Sequence, residues 1–217
     1  MYDDNYKVKV TRVFPQVSFH QSFSNIFSNA VDPSHRDVCY LLTHDVLYTN
    51  YFLYVHKFDS NRVLKSCYFC SEIETVPHLF IECNFFFPLN KCVLLLLNSV
   101  SEPHTVSLSE KMFRFFDFKS FSQNTKYVEI VLISISRFVI WSIRNQVKYS
   151  NKSFRIVDVI NMFLSLLKFR LKVDYARFNM DKFVDVWVNY DFVSLLHGTL
   201  VFSEELFSKF YIKKFKL

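Results

Sequence analysis

The chain has 217 residues, a formal charge of +6 and a sequence pI near 9.0. Hydrophobic residues make up 51%, enough for a sizeable core, yet glycine occurs once, at Gly198, where average usage would give about fifteen. The glycine loops of P-loop and Rossmann nucleotide sites and the G-x-S-x-G nucleophile elbow therefore cannot be written here.

Residues 1–30 alternate polar and aromatic residues without a sustained period and read as a loosely ordered lead-in. Met1-Tyr2-Asp3-Asp4 is acidic and lacks the apolar segment of a signal peptide, and the five cysteines are an odd number. The expected setting is intracellular and reducing, nuclear or cytoplasmic, without a disulfide framework. Asp32-Pro33 is a helix start, because aspartate caps free N–H groups and proline suits the first turn. Val38, Leu41, Leu42 and Val46 continue it to an end near His44 or Asp45, and a second short helix is expected over 50–56.

Residues 66–92 hold four of the cysteines. Phe85-Phe86-Phe87-Pro88 brings an aromatic cluster and a break before the apolar run 92–97. Residues 98–125 read as a linker or loop, punctuated by Pro103. Beyond it, 127–148 and 154–172 have helical length and period. The run 127–143 carries Glu129 and Arg137 and falls short of about 20 apolar residues, so it reads as a buried helix and no membrane partner is expected. The fold class is mostly α, a helical domain with a small C-x2-C-x7-H-x4-C zinc knuckle. Its organisation is a lead-in (1–30), a helical lead-in plus zinc-binding domain (31–97), a linker (98–125) and a basic helical C-terminal region (126–217).

The knuckle is Cys67, Cys70, His78 and Cys83. Two cysteines three apart can grip one ion from a tight turn, and the seven-residue spacer lets the chain return with His78 and Cys83 to close a tetrahedron. A regular α-helix places residues i and i+5 about 140° apart. The segment from Pro77 is therefore expected to start as a helix and to end or distort by Cys83. Four protein ligands leave no open position, so one structural Zn2+ is expected rather than a catalytic one. Cys39 and Cys92 read as core thiols, with Cys92 a substitute ligand if His78 or Cys83 lies too far away.

The segment from Cys67 to Cys83 resembles the zinc-binding domain in the C-terminal tail of non-LTR retrotransposon reverse transcriptases. The pattern C-x2-C-x3-E-T-x2-H-L-F-x2-C is matched at each signature position, including Glu74, Thr75, Leu79 and Phe80. Arg36 to His44 followed by Leu47-x-Thr49-Asn50 upstream, Ile140-Trp141-x-x-Arg144-Asn145 downstream, and Leu167-Lys-Phe-Arg170-Leu-Lys-x-Asp174 with Phe183 and Trp187 further on are similar to segments that flank that motif, over roughly residues 30 to 190. The resemblance implies a detached or remnant tail that holds RNA or DNA, with a reverse transcriptase polymerase acting in trans. The polymerase and endonuclease regions are missing, so no enzyme activity and no small-molecule substrate are expected.

Residues 126–182 hold eleven basic side chains against four acidic ones. Arg137, Arg144, Lys148, Lys152, Arg155, Lys168, Arg170 and Lys172 are the candidate contacts to single-stranded RNA or DNA, by charge neutralisation of phosphates beside aromatic rings. The competing reading is a zinc-stapled helical protein-interaction or remnant domain with no nucleic-acid affinity.

Overall fold

The computed structural model of the chain describes residues 19–44, 46–56, 65–100, 122–197 and 199–203. Three helices precede the knuckle: α1 (Phe19–Ile26), α2 (Pro33–Thr43) and α3 (Asn50–Val55). A single π-helical turn, His78–Glu82, leads into α4 (Phe87–Val100). The long helices α5 (Gln123–Ser150) and α6 (Ile156–Arg177) follow, then α7 (Met180–Phe183), which runs into a second π-helical turn, Val184–Val188. A two-stranded antiparallel hairpin closes the described chain, with β1 (Val193–Leu196) paired to β2 (Thr199–Phe202) and Val193 opposite Phe202. The fold is mostly α, as the sequence indicates.

Local chemistry sets these boundaries. Asp32 caps α2 by accepting from the Ser34 N–H at 2.9 Å, with Pro33 in the first turn. Thr49 caps α3, its Oγ1 accepting from the Phe52 N–H at 3.3 Å. Pro88 stands in the first turn of α4, where its missing N–H is harmless, so the break precedes that helix. The lead-in reading fails at 19–30: α1 packs on α2, and Ile26, Ala30 and Val31 are buried. Its inward face also carries Ser22 and Asn25, which hides the apolar period. Residues 1–18 lie outside the described residues.

α5 is the axis of the molecule. At 28 residues it is about 42 Å long, and it packs against α2, α4, α6 and both π-helical turns. Every residue from Val128 to Arg137 is buried, the signature of a helix covered on all sides. Ser134 and Ser136 satisfy their hydroxyls by donating back to the Val131 and Ile133 carbonyls. No described helix is long and apolar enough to cross a membrane. One hydrophobic cluster runs from Ile26 through Leu97 to Val193, so the elements before and after the expected linker share a core. The linker residues 101–121 lie outside the described residues, whereas 98–100 belong to α4 and 123–125 to α5.

Candidate metal centre

The knuckle is built from two pieces of backbone. Ser66 pairs with Ile73 in an isolated antiparallel bridge, and the Cys67 N–H donates to the Glu72 carbonyl at 2.6 Å. Between them the Ser71 N–H returns to the Cys67 carbonyl at 3.2 Å, a tight turn that aims the Cys67 and Cys70 sulfurs the same way. Ser71 turns this corner with φ 65°, in the left-handed region that glycine usually supplies.

The second piece is the π-helical turn. The Thr75 hydroxyl accepts from the His78 N–H at 3.1 Å and opens the turn, and the Cys83 N–H closes it on the His78 carbonyl at 2.7 Å. This i to i+5 bond widens the turn and brings His78 and Cys83 round to the same side, which an α-helix would not do. The distortion expected from the 140° mismatch is thus a single π-helical turn whose first residue is one ligand and whose C-terminal neighbour is the other.

The four ligand atoms lie within 4.8 Å of one another, close enough to hold a metal ion, and they are the one such grouping among the described residues. Cys83 Sγ stands 3.8 Å from both Cys67 Sγ and Cys70 Sγ, and Cys70 Sγ stands 3.1 Å from His78 Nε2. Two thiolates each about 2.3 Å from a shared tetrahedral ion would be about 3.8 Å apart, so the sulfur spacing has the size of such a site. It is far too long for a disulfide, and all five cysteines are free. Phe69 stacks on Phe85 at 4.6 Å with Phe86 edge-on, an apolar wall beside the cysteines. The hydrogen bond to Cys83, together with burial, pushes the Cys67 thiol above its ordinary range. The same bond pulls Cys83 down, and burial pushes Cys70 up. A cation bound at this point would displace whatever protons the thiols carry. The quartet is complete without Cys92, which is buried in α4, or Cys39, which is buried beside Arg137.

Behind the knuckle lies a buried polar network that the sequence did not reveal. Glu74 Oε1 accepts from Arg144 Nη2 at 2.7 Å and Nε at 3.1 Å, and from the Asn50 backbone N–H at 2.8 Å. Asn50 Oδ1 accepts from Arg144 Nη2 at 3.0 Å, while its Nδ2 donates to the Ser66 carbonyl at 2.7 Å. Arg144 also lies 4.9 Å from the Trp141 ring centre. Asn50 at the start of α3 and Arg144 on α5 therefore meet at one carboxylate, which ties both helices to the segment leading into His78.

The eight basic candidates divide accordingly. Arg137, Arg144 and Arg170 are buried and do not face solvent, which corrects their assignment as phosphate contacts. Arg144 is consumed by Glu74 and Asn50. Arg170 forms a 3.0 Å ion pair with the buried Asp174 and donates to the Asn29 carbonyl at 2.5 Å and to the Tyr127 hydroxyl. Tyr127 and Trp187 both donate to Asp174, at 2.9 and 3.0 Å. Arg137 is fully buried against Cys39, and burial lowers its pKa to about 10, leaving it charged at neutral pH. Arg155 is exposed but paired with Asp158 at 3.1 Å. Lys152 and Lys172 are exposed, Lys168 lies half-buried over Phe202, and Lys148 lies half-buried beside Asn50. No family model, curated protein or solved structure matches this chain.

Proposed function

We propose that the chain is a non-catalytic module, stapled by one structural Zn2+ at Cys67, Cys70, His78 and Cys83, that binds single-stranded nucleic acid. The carrying observation is the Cys3His quartet, its ligand atoms all within 4.8 Å of one another, with a carboxylate locked behind it. Three thiolates and an imidazole form a soft, borderline set that suits zinc over magnesium or calcium. They fill all four positions, so the ion's work is to fix the fold. Apparent zinc energies of about 10–16 kcal/mol in finger peptides exceed or match a whole domain's stability of about 5–15 kcal/mol.

The nucleic-acid part of the reading rests on the resemblance to reverse transcriptase tails and on the basic excess of the C-terminal half. Such a module would hold template or target strand for a polymerase supplied in trans. The burial of Arg137, Arg144 and Arg170 favours the second reading, a zinc-stapled interaction domain without nucleic-acid affinity. Two measurements on the purified chain decide between them. Elemental analysis is expected to return one zinc per chain, and retention of single-stranded RNA is expected to weaken steeply with salt. Zinc without RNA retention at low salt selects the interaction domain.

A further inference from the structure

Above the Glu74–Arg144 pair the surface is paved with tyrosines. Tyr149 is 68% exposed, Tyr54 46%, Tyr51 42% and Tyr68 39%. They cluster around the Glu74–Asn50–Arg144 network, each reached from it directly or through a neighbouring lysine. The Tyr68 ring centre lies 6.0 Å from the Arg144 guanidinium. Lys148 reaches Asn50 Oδ1 at 3.4 Å and lies 5.2 Å from the Tyr149 ring. The Tyr51 N–H donates to the Glu74 carbonyl, and Tyr54 stands one turn further along α3. Lys65, whose carbonyl accepts from the Glu74 N–H, places its ammonium 4.1 Å over the Tyr54 ring.

We propose that this tyrosine–lysine face, and not the lysines Lys152, Lys168 and Lys172, is where single-stranded nucleic acid lies, with bases stacked on the rings and phosphates at Lys148 and Lys65. This rests on the nucleic-acid reading above. Exposed rings offer stacking surface, and the ammonium groups beside Tyr149 and over Tyr54 add the positive charge that a phosphate strand needs. A duplex hides its base faces and offers the rings nothing, so the occupant is a single strand. The face is also rigid: Tyr68 sits between two metal ligands, Tyr51 and Tyr54 ride on a capped helix, and Tyr149 is one residue from the end of α5. The buried ion pair beneath neutralises Glu74, which removes a carboxylate from a site meant for phosphates.

The experiment is fluorescence anisotropy of a labelled single-stranded RNA of about 12 nucleotides with the full, zinc-loaded chain across a salt series. Tyr149→Ala is expected to weaken binding roughly 5- to 100-fold, the range for loss of one stacked base, while Tyr149→Phe binds like the parent. Lys148→Ala should lower the slope of log affinity against log salt by about 1. Zinc content and circular dichroism establish that each variant is folded. If the parent binds and folded, zinc-loaded Tyr149→Ala, Tyr51→Ala and Lys148→Ala variants all match it, the face is wrong and the nucleic-acid function stands. If the parent retains no RNA at low salt, both fall, and the tyrosines become a surface for a protein partner.

Discussion

Glu74 and Arg144, seventy residues apart in the chain, meet at 2.7 Å with both side chains fully buried. Arg144 stands in the C-terminal part of α5, and Glu74 on the segment between the two halves of the metal quartet. The pair therefore joins a local device, the knuckle, to the global frame. A metal-binding knuckle alone can order its own loop. The Cys67–Cys83 segment is also bolted, through Asn50 and Arg144, to the helices on either side.

Breaking that pair from one side leaves an uncompensated buried charge, and Glu74→Gln or Arg144→Leu is expected to destabilise the fold by about 3–5 kcal/mol. The double variant Glu74→Gln/Arg144→Leu should recover part of that loss, because the desolvation of both charges is relieved together. Urea unfolding of the two single variants and the double one gives the coupling energy. Losses that simply add would mean the two residues do not act as a unit.

Removing the metal is expected to loosen the knuckle first. Cys70→Ser, or chelation of the parent, should expose backbone amides from about 65 to 90 to hydrogen exchange. The buried half of α5 should exchange later. Because the ligands must be deprotonated to bind, the chelator concentration that strips the ion should fall as the pH is lowered. Metal content that does not change with pH, or uniform exchange along the chain, would count against a structural zinc at this quartet.

The metal quartet was legible in the sequence because its spacing is local and its chemistry narrow, and even the distortion before Cys83 followed from helix geometry. The buried arginines were not legible as such. A guanidinium has the same letter whether it neutralises a phosphate or a carboxylate 70 residues away, and Arg144 and Arg170 found their partners only in three dimensions. Arg137 gave a usable signal: it lies inside a run, Val131 to Ile143, with apolar residues on every side of a helix. The hairpin after Trp187 escaped because its strands have four residues each and apolar side chains on both faces, with Gly198 in the connection as its single sequence cue.

His35 is a test of the core between α2 and α5. Its ring lies tilted against Phe138, the centroids 4.3 Å apart, and burial, outweighing the attraction of Asp32 and reinforced by Arg170, lowers its pKa from 6.5 to about 4. The folded state thus binds fewer protons than the unfolded one between those values. Stability is complete above about pH 6.5 and falls as the pH drops towards 4, by up to about 3 kcal/mol from this residue. His35→Phe keeps a ring but cannot take a proton, so its stability relative to the parent should rise as the pH is lowered through that window. Parallel stability curves for the two proteins from pH 7 to 4 would remove His35 as the source.

Ser71 holds the knuckle's first turn in a conformation that its Cβ opposes. At φ 65° a non-glycine residue gives up about 1–2 kcal/mol, and glycine would recover that at an entropic loss of about 0.5–1 kcal/mol in the unfolded chain. Ser71 is exposed, so no packing is lost with its hydroxymethyl group. Ser71→Gly is therefore expected to stabilise the zinc-loaded protein by up to about 1 kcal/mol, a rise of roughly 2–4 °C in Tm at most for a chain of this size. Ser71→Val, with a branched Cβ at the same φ, should shift Tm the other way and release zinc at lower chelator concentration. The contrast matters more than either value, because only a left-handed turn between Cys70 and the bridge at Ile73 makes the two substitutions act in opposite directions.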